Sequence, residues 1–261
     1  MDKNGPKILI VDVETAPIVA HVWNLFDQNV GLNQIKQDWY ILSWSAKWLG
    51  EDKVMYQDLR GKERTKTDKS LLPGIWKLLN EADIVVGQNS RRFDVKKLNA
   101  RFVLNGFAPP SPYRQIDTML LAKKSFAFTS NKLEYLTDKL CTQHKKIKHV
   151  EFGGFELWKE CLAGNKKAWA QMKAYNIADV LSTEELYLKL APWGTGLSFD
   201  VYGHSAKPLC NCGSAQLQQR GFNYSNAGKF QRFQCLACGS WSSSKENLLP
   251  KEQRSLMHKK A

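Results

Sequence analysis

The sequence has no apolar run that approaches the roughly 18 residues of a membrane span. Its first residues, Met-Asp-Lys-Asn-Gly-Pro, lack the apolar segment of a secretory signal peptide. A convincing long repeat and an extended low-complexity segment are missing as well. We therefore expect no membrane partner, and we expect the chain to remain in a reducing cytoplasm.

Acidic residues are in deficit. The chain has 25 Asp or Glu against 38 Lys or Arg, so its net charge is +13. A basic surface raises the local concentration of phosphates and favours a polyanionic partner such as nucleic acid. A basic protein without a nucleic-acid role is the alternative that charge alone leaves open. The 261 residues allow one large hydrophobic core and a small second domain.

Cysteine is also sparse, with six in the chain. Cys141 and Cys161 stand alone in segments of helical pattern, and we expect them to be buried thiols. The other four cluster near the C-terminus at metal-ligand spacing, as Cys210-x-Cys212 and Cys235-x-x-Cys238. Four thiolates at this spacing predict one structural Zn²⁺, with disulfides or a labile redox cluster as the alternatives.

Each cysteine pair is followed by Gly-Ser, and a glycine there lets the chain turn with positive φ and aim backbone N–H groups at the sulfurs. Between the pairs, residues 218–224 and 228–234 are predicted strands with aromatic and basic side chains. This segment resembles a zinc ribbon, although its first pair departs from the usual Cys-x-x-Cys. The pattern favours nucleic-acid binding; protein binding and simple stabilisation of the fold are the alternatives. We predict a zinc-ribbon domain at residues 194–250 and a flexible basic tail at 251–261.

The preceding part of the chain has the pattern of an α/β domain. A buried strand at 7–15 is followed, after an irregular connection, by a predicted hairpin of strands at 40–49 and 53–59. A helix at 71–80, a second buried strand at 82–87 and renewed helical spacing from residue 93 come next. Further helices are predicted at 117–126, 132–141, 154–162 and 166–189. This order predicts a mixed sheet flanked by helices in a domain at residues 1–193.

The first strand ends in two carboxylates, Asp12 and Glu14, which are two residues apart and therefore project to the same side. Like charges repel each other there unless a cation lies between them, and a divalent cation is the simplest candidate. Asp94 stands near a predicted helix start, and Tyr175 and Asp179 share one face of the last helix. Taken singly, these features are also typical of a strand end, a helix N-terminus and an amphipathic edge.

In this order, the three segments resemble the exonuclease motifs of the DEDD 3′–5′ exonucleases, the proofreading branch of the ribonuclease H-like superfamily. The resemblance covers residues 7–190 and rests on Asp12-x-Glu14, Asn89-x-x-x-Phe93-Asp94 and Tyr175-x-x-x-Asp179. The tyrosine marks the tyrosine subclass. The whole chain, with its cysteine-rich end, is most similar to exonuclease-like proteins carried by bacteriophages, which would place it in the host cytoplasm.

The resemblance implies a ribonuclease H-like fold, two Mg²⁺ or Mn²⁺ ions and a set of catalytic roles. Asp12 would bridge both ions. Glu14 and Asp179 would complete the side of the attacking nucleophile, and Asp94 would hold the second ion, partly through water. Tyr175 would orient the attacking water, and nucleoside 5′-monophosphates would leave one at a time from a 3′ end.

By the same resemblance, residues around the motifs would contact the substrate: Thr15, Trp23, Phe26, Asn89, Arg91, Arg92 and Phe93. Trp23 and Phe26 would stack on the terminal base, unless they are core residues beneath a loop. Gln88 departs from the family's usual histidine, and we expect this change to alter a substrate contact. The basic run at 145–149 would track the backbone or would be only a solvated loop.

Single-stranded DNA is the preferred substrate, and RNA is the alternative within the enzyme class. A third hypothesis is a non-catalytic nucleic-acid-binding or host-interaction protein on a nuclease scaffold. The presence of all four carboxylates together with Tyr175 argues against such a scaffold. Because the chain has no polymerase-sized region, a proofreading role would need a separate replication or repair protein.

Overall fold

The structure is a computed structural model that describes residues 6–146, 151–194, 208–210, 212–225 and 228–255. These residues form two compact units. One is Lys7–Tyr187, and the other groups the described residues beyond Tyr187 with Pro6. The domain limits at 193 and 250 stay predictions.

The first unit is built on a five-stranded mixed sheet with the order β5-β4-β1-β6-β7. Strands β1, β4 and β5 are antiparallel neighbours, whereas β6 and β7 continue the sheet in parallel with β1. A separate two-stranded ribbon joins β2 and β3. The strands of this unit are β1 (Ile8–Thr15), β2 (Val19–Ala20), β3 (Ile35–Gln37), β4 (Ile41–Trp48), β5 (Val54–Asp58), β6 (Ile84–Gly87) and β7 (Arg114–Asp117).

Strand β1 lies in the middle of the sheet because it is apolar on both faces. Its residues from Ile8 to Val11 are all buried, as a strand covered on both sides requires. The predicted hairpin of β4 and β5 is confirmed. The connection between β1 and β4 was expected to be irregular but contains β2 and β3. The sequence pattern did not predict β7, because Ile116 is the only aliphatic residue of that strand.

Helices flank this sheet, as the sequence predicts. The main core contains Leu9 and Ile41 of the sheet together with Leu72, Leu98 and Trp169 of the helices. Cys141 and Cys161 are buried thiols, as expected. The helices are α1 (Leu72–Glu81), α2 (Asp94–Leu104), α3 (Thr118–Ser125), α4 (Leu133–Leu140), α5 (Glu156–Leu162), α6 (Lys166–Leu190) and α7 (Lys251–Ser255).

The second unit contains an antiparallel sheet of β8 (Leu217–Ser225), β9 (Gly228–Cys235) and β10 (Trp241–Ser243), in the order β10-β9-β8. Strands β8 and β9 were predicted, whereas β10 was not. The flexible basic tail at 251–261 stays a prediction, and within it residues 251–255 form α7. Lys, Glu, Gln and Arg favour a helix there, and the Arg254 N–H donates to the Pro250 carbonyl. Residues 256–261 lie outside the described residues.

Candidate metal centres

Three carboxylates meet at the C-terminal end of β1, the central strand of the main sheet. Asp12 and Glu14 come from β1 and Asp179 comes from α6, and one oxygen of each lies within 4.8 Å of the others. The alternation of β1 places the first two side by side, and α6 brings the third against them. This arrangement concentrates negative charge where the apolar strand ends.

Asp94 approaches the same strand from the start of α2 but lies outside this group of three. Its side chain is buried, and its Oδ1 accepts a hydrogen bond of 3.0 Å from the Val13 N–H. Val13 lies between Asp12 and Glu14 along the strand. The structure therefore places all four predicted carboxylates around one segment of β1, three of them in direct proximity.

Burial and mutual repulsion favour the protonated forms of these groups. Burial, followed by the charge of Asp179, raises the pKa of Glu14 to about 8. The pKa of Asp12 also lies well above its ordinary value, first through burial and then through Asp179 and Asp94. Burial raises the pKa of Asp94 to about 7, although the Val13 N–H opposes the shift. A divalent cation would reverse these shifts, and an all-oxygen donor set suits Mg²⁺ or Mn²⁺.

Lys146 supplies a positive charge to the carboxylates. Its Nζ lies 2.5 Å from Asp179 Oδ2 and 4.5 Å from the centroid of the Tyr175 ring. Burial opposes the charged form of this lysine, but the Asp179 carboxylate raises its pKa above the usual range. The sequence indicated Lys146 only as part of the basic run at 145–149, of which 147–149 lie outside the described residues.

Tyr175 is buried beside the cluster, and the edge of Trp158 packs against it at 6.2 Å between ring centroids. Trp158 also hydrogen-bonds Glu14. Burial and the charge of Asp179 raise the pKa of Tyr175, so its hydroxyl stays protonated at neutral pH. A protonated hydroxyl can donate a hydrogen bond to a water molecule or to a substrate oxygen.

Asn176 is a further member of the site that sequence reasoning missed. Its Nδ2 donates to Asp12 Oδ2 at 2.5 Å, and its Oδ1 accepts from the Ser43 hydroxyl at 3.2 Å. It therefore orients the carboxylate that is central to the cluster. Its position next to Tyr175, as a polar residue in a helix interior, was the available signal.

The turn after β6 places Asn89 and Asp94. A Cβ on Gly87 would lie 2.7 Å from Ser90 Cβ and 3.0 Å from the Val11 carbonyl oxygen, so the close approach requires glycine. Asn89 adopts a positive φ of 58°. Asp117, the first residue of the predicted helix at 117–126, accepts hydrogen bonds from the backbone N–H groups of Asn89, Arg91, Met119 and Leu120.

Trp23 and Phe26 are 91% and 80% exposed, which rules out the alternative that they are core residues. Arg92 and Phe93 are exposed as well, whereas Arg91 donates from Nη2 to the Gln115 carbonyl. Thr15 is half-buried where the pairing of β1 with β4 changes register.

A cleft of about 570 Å³ is lined in part by Lys146, the lysine that contacts Asp179. Lys123 and Lys132 also line the cleft, together with one carboxylate, Glu134, so its lining carries a net positive charge. Asn89 and Gln88 line it from the turn after β6. The Gln88 side chain donates to the Asn131 carbonyl and accepts from the Thr118 hydroxyl, and it thereby holds one wall.

The four cysteines of the second unit converge, with their sulfurs within 4.8 Å of one another. Cys210 and Cys238 are 3.5 Å apart, and Cys212 and Cys235 are 3.7 Å apart. Four sulfurs at the usual Zn–S distance in a tetrahedron would be about 3.8 Å apart, so the group fits Zn²⁺.

The backbone of the two cysteine turns repeats, as the paired Cys-Gly-Ser sequences suggested. Gly213 and Gly239 have φ of 84° and 76°. The Cys210 N–H donates to Ser214 O, and the Cys235 N–H donates to Ser240 O. Burial disfavours the Cys235 thiolate, but N–H groups of the turn lower its pKa to about 7. A thiolate is the form that binds a metal.

Comparison with known proteins identifies a family and a solved structure of similar fold. The profile of the RNase H superfamily matches residues 21–191, which include Asp94, Tyr175 and Asp179. The chain is similar in fold to the family B DNA polymerase from the hyperthermophilic archaeon Pyrobaculum calidifontis, with a TM-score of 0.52 and 16% identity. That match covers 72% of this chain but only 25% of the polymerase chain. A search of curated proteins found no match.

None of the described helices is both long enough and apolar enough to cross a membrane.

Proposed function

Since the chain belongs to the RNase H superfamily, we propose that it is a metal-dependent 3′–5′ exonuclease of the DEDD type, tyrosine subclass, acting on single-stranded DNA. The observation that carries this proposal is the convergence of Asp12, Glu14 and Asp179 within 4.8 Å, with Asp94 beside them. Metal-dependent phosphodiester hydrolysis uses such a cluster, because the transition state builds up negative charge that bound divalent cations offset.

The four carboxylates would hold two Mg²⁺ or Mn²⁺ ions, with Asp94 making the more indirect contact. When bound, such ions activate a water molecule and stabilise charge on the attacking and leaving oxygens. Asn176 would keep the Asp12 carboxylate in place for this role through their hydrogen bond. The protonated hydroxyl of Tyr175 would orient the attacking water, since its raised pKa makes it a poor general base.

The substrate strand would reach these groups through the cleft that contains Lys123, Lys132 and Lys146. Its lining holds three lysines against one carboxylate, which suits a phosphate backbone, and Lys146 links it to Asp179 of the carboxylate cluster. Trp23 and Phe26 lie in the loop after Glu14, and their rings are open to solvent. Such rings would stack on terminal bases that have left a duplex.

The test is digestion of matched 5′-labelled DNA and RNA strands with Mg²⁺ or Mn²⁺. We expect a ladder that shortens from the 3′ end, and a loss of at least about 10²-fold in rate for Asp12→Asn. Asp138→Asn is the matched control, because this exposed aspartate pairs only with Lys139 and Lys145 among the described ion pairs. The metal-free arm should use buffer depleted of Mg²⁺ and Mn²⁺ without EDTA, which would also compete for an ion at the cysteines.

Three results would contradict the proposed exonuclease activity. Internal cleavage products would exclude an exonuclease, and equal rates for wild type and Asp12→Asn would remove the carboxylates from the chemistry. If RNA is digested faster than DNA, the preferred substrate is RNA, and the proposed 3′–5′ exonuclease reaction still holds. Intact strands with retained binding would favour the non-catalytic scaffold.

A further inference from the structure

The sheet of β8, β9 and β10 has cations and no carboxylates. Arg220, Lys229 and Arg232 are its charged residues, and all residues of these three strands are described. Three unopposed positive charges on so small a sheet attract a polyanion. The carboxylate cluster of the first unit is not involved in this feature.

One face of the sheet presents aromatic rings beside a cation. Tyr224 pairs with Lys229 and Phe222 pairs with Gln231 across β8 and β9, so these four residues lie on the same face. The Lys229 Nζ lies 4.0 Å from the centroid of the Phe222 ring. The centroids of the Phe222 and Tyr224 rings are 6.4 Å apart. Phe222 and Tyr224 are 38% and 68% exposed, so both rings are accessible.

The same sheet provides an internal comparison on its other face. Trp241 pairs with Gln234 across β10 and β9. Along β9, Gln234 is an odd number of residues from Lys229 and Gln231, so its side chain lies on the other face of the sheet. Trp241 therefore lies opposite the Phe222 face. Its ring packs against the Arg232 guanidinium at 4.9 Å.

The composition of the Phe222 face favours nucleic acid over a protein partner. The buried centre of a protein interface is depleted of charge, whereas here Lys229 covers the Phe222 ring and Gln231 pairs with Phe222 across the strands. Rings with an adjacent cation suit bases linked by phosphates. Base faces are hidden in a duplex but free in a single strand, so a stacking surface selects single strands.

We propose that Phe222, Tyr224 and Lys229 form a second binding site, which takes single-stranded nucleic acid by stacking bases on the two rings and placing a phosphate at Lys229. The site goes beyond the proposed hydrolysis, since it binds the strand and contributes no group to the reaction. It recognises base faces and phosphates, which DNA and RNA share.

The test measures binding by fluorescence anisotropy on the full chain carrying Asp12→Asn, so that no probe is degraded in any arm. The probes are labelled oligothymidylate, oligouridylate and a DNA hairpin duplex. We expect Phe222→Ala combined with Tyr224→Ala to weaken binding of either single strand about tenfold or more, because each ring stacks on a base. Trp241→Ala, on the opposite face, should change it less than about twofold. Lys229→Gln should reduce the slope of log affinity against log salt by about one.

Zinc content and circular dichroism show whether each variant keeps its fold, and a second pair, Phe222→Leu with Tyr224→Leu, removes the rings while preserving apolar volume. Both pairs should lose affinity at unchanged zinc content. The proposal would be overturned if the double variants bound single strands with the same affinity as Trp241→Ala. It would also be overturned if the duplex were bound as tightly as the single strands. Because the protein in these experiments is inactive by design, failure of the hydrolysis assay has no bearing on the result.

Discussion

At the scale of single residues, the carboxylate cluster holds more negative charge than its surroundings neutralise. Glu14 and Asp12 are half-buried beside Asp179, and both have raised pKa values because of desolvation and that neighbouring charge. Lys146 offsets part of the charge through its contact with Asp179. Without further cations, the folded protein therefore retains protons that the unfolded chain releases.

The first prediction concerns pH. In protein free of Mg²⁺ and Mn²⁺, we expect the free energy of unfolding to fall as pH rises from about 5 to about 8. The pKa of Glu14 is about 8 in the folded protein, against an ordinary value of 4.5, so in this window only the folded state binds the proton. The loss is up to about 1.4 kcal/mol per pH unit for one proton. Urea denaturation at a series of pH values measures it.

Glu14→Gln is the control, because it removes one titrating group and should make the curve less steep, the remaining slope coming from Asp12 and Asp94. Saturating Mg²⁺ should flatten it as well, since the cation favours the ionised carboxylates. Parallel curves for wild type and Glu14→Gln would mean that Glu14 has no raised pKa.

The second prediction concerns Lys146. In metal-free protein, Lys146→Met should lower the free energy of unfolding by about 1–3 kcal/mol, because Asp179 loses its cation. Lys146 is partly exposed, so the loss should be smaller than for a fully buried ion pair. The variant should also bind Mg²⁺ more tightly, since no lysine competes for Asp179. Calorimetric titration measures this affinity. Lys145→Met, which alters an exposed pair with Asp138, should leave both quantities unchanged.

At the scale of elements, the site depends on how β1, α6 and the turn after β6 are held together. The carboxylate of Asp117 accepts four backbone hydrogen bonds that join this turn to the start of α3. Asn89 lies in the turn and Asp94 follows it at the start of α2. One buried side chain therefore sets the position of the second predicted motif.

The third prediction follows for Asp117→Ala, which should reduce the free energy of unfolding by about 2–4 kcal/mol, since buried N–H groups lose their acceptor. Hydrolysis should slow as Asn89 and Asp94 shift, and Asp117→Asn should recover part of the stability because one oxygen acceptor remains. Denaturant titration and the digestion assay measure the two effects. Asp138→Ala, at an exposed aspartate, is the matched control. Wild-type stability in Asp117→Ala would refute a structural role for this residue.

At the scale of the whole molecule, the two units are stabilised by different means. The first has a core of buried aliphatic and aromatic residues that spans sheet and helices. In the second, the residues of β8 after Leu217 are exposed, and the buried residues described beyond 207 are Cys210, Gly228, Cys235 and Ser240. So little buried apolar surface cannot hold three strands without a further stabilising group.

The fourth prediction is that zinc removal unfolds the second unit alone. With a strong zinc chelator, or in Cys235→Ser, we expect the amides of β8 and β9 to lose protection from hydrogen exchange while those of β1 and β4 keep theirs. Hydrolysis of a short oligonucleotide should persist after Mg²⁺ is restored. Protected β8 amides in zinc-free protein would show that the cysteines are not a structural metal site.

The sequence by itself determined the features that depend on short-range patterns. The apolar run of β1 predicts a buried strand, its alternation places Asp12 beside Glu14, and the spacing of the cysteines predicts their convergence. Helix positions follow from the periodicity of their apolar residues. Each of these rests on geometry that a few consecutive residues impose on themselves.

Only the tertiary structure decided which distant residues complete the site. Asn176 contacts Asp12 across 164 positions and Lys146 contacts Asp179 across 33, and neither contact has a local signature. The exposure of Trp23 likewise depended on what packs against its loop. Strand β7 exists because β6 offers it a pairing edge, not because its own sequence favours a strand. Such contacts are set by how whole elements pack, and a window of consecutive residues contains no record of that packing.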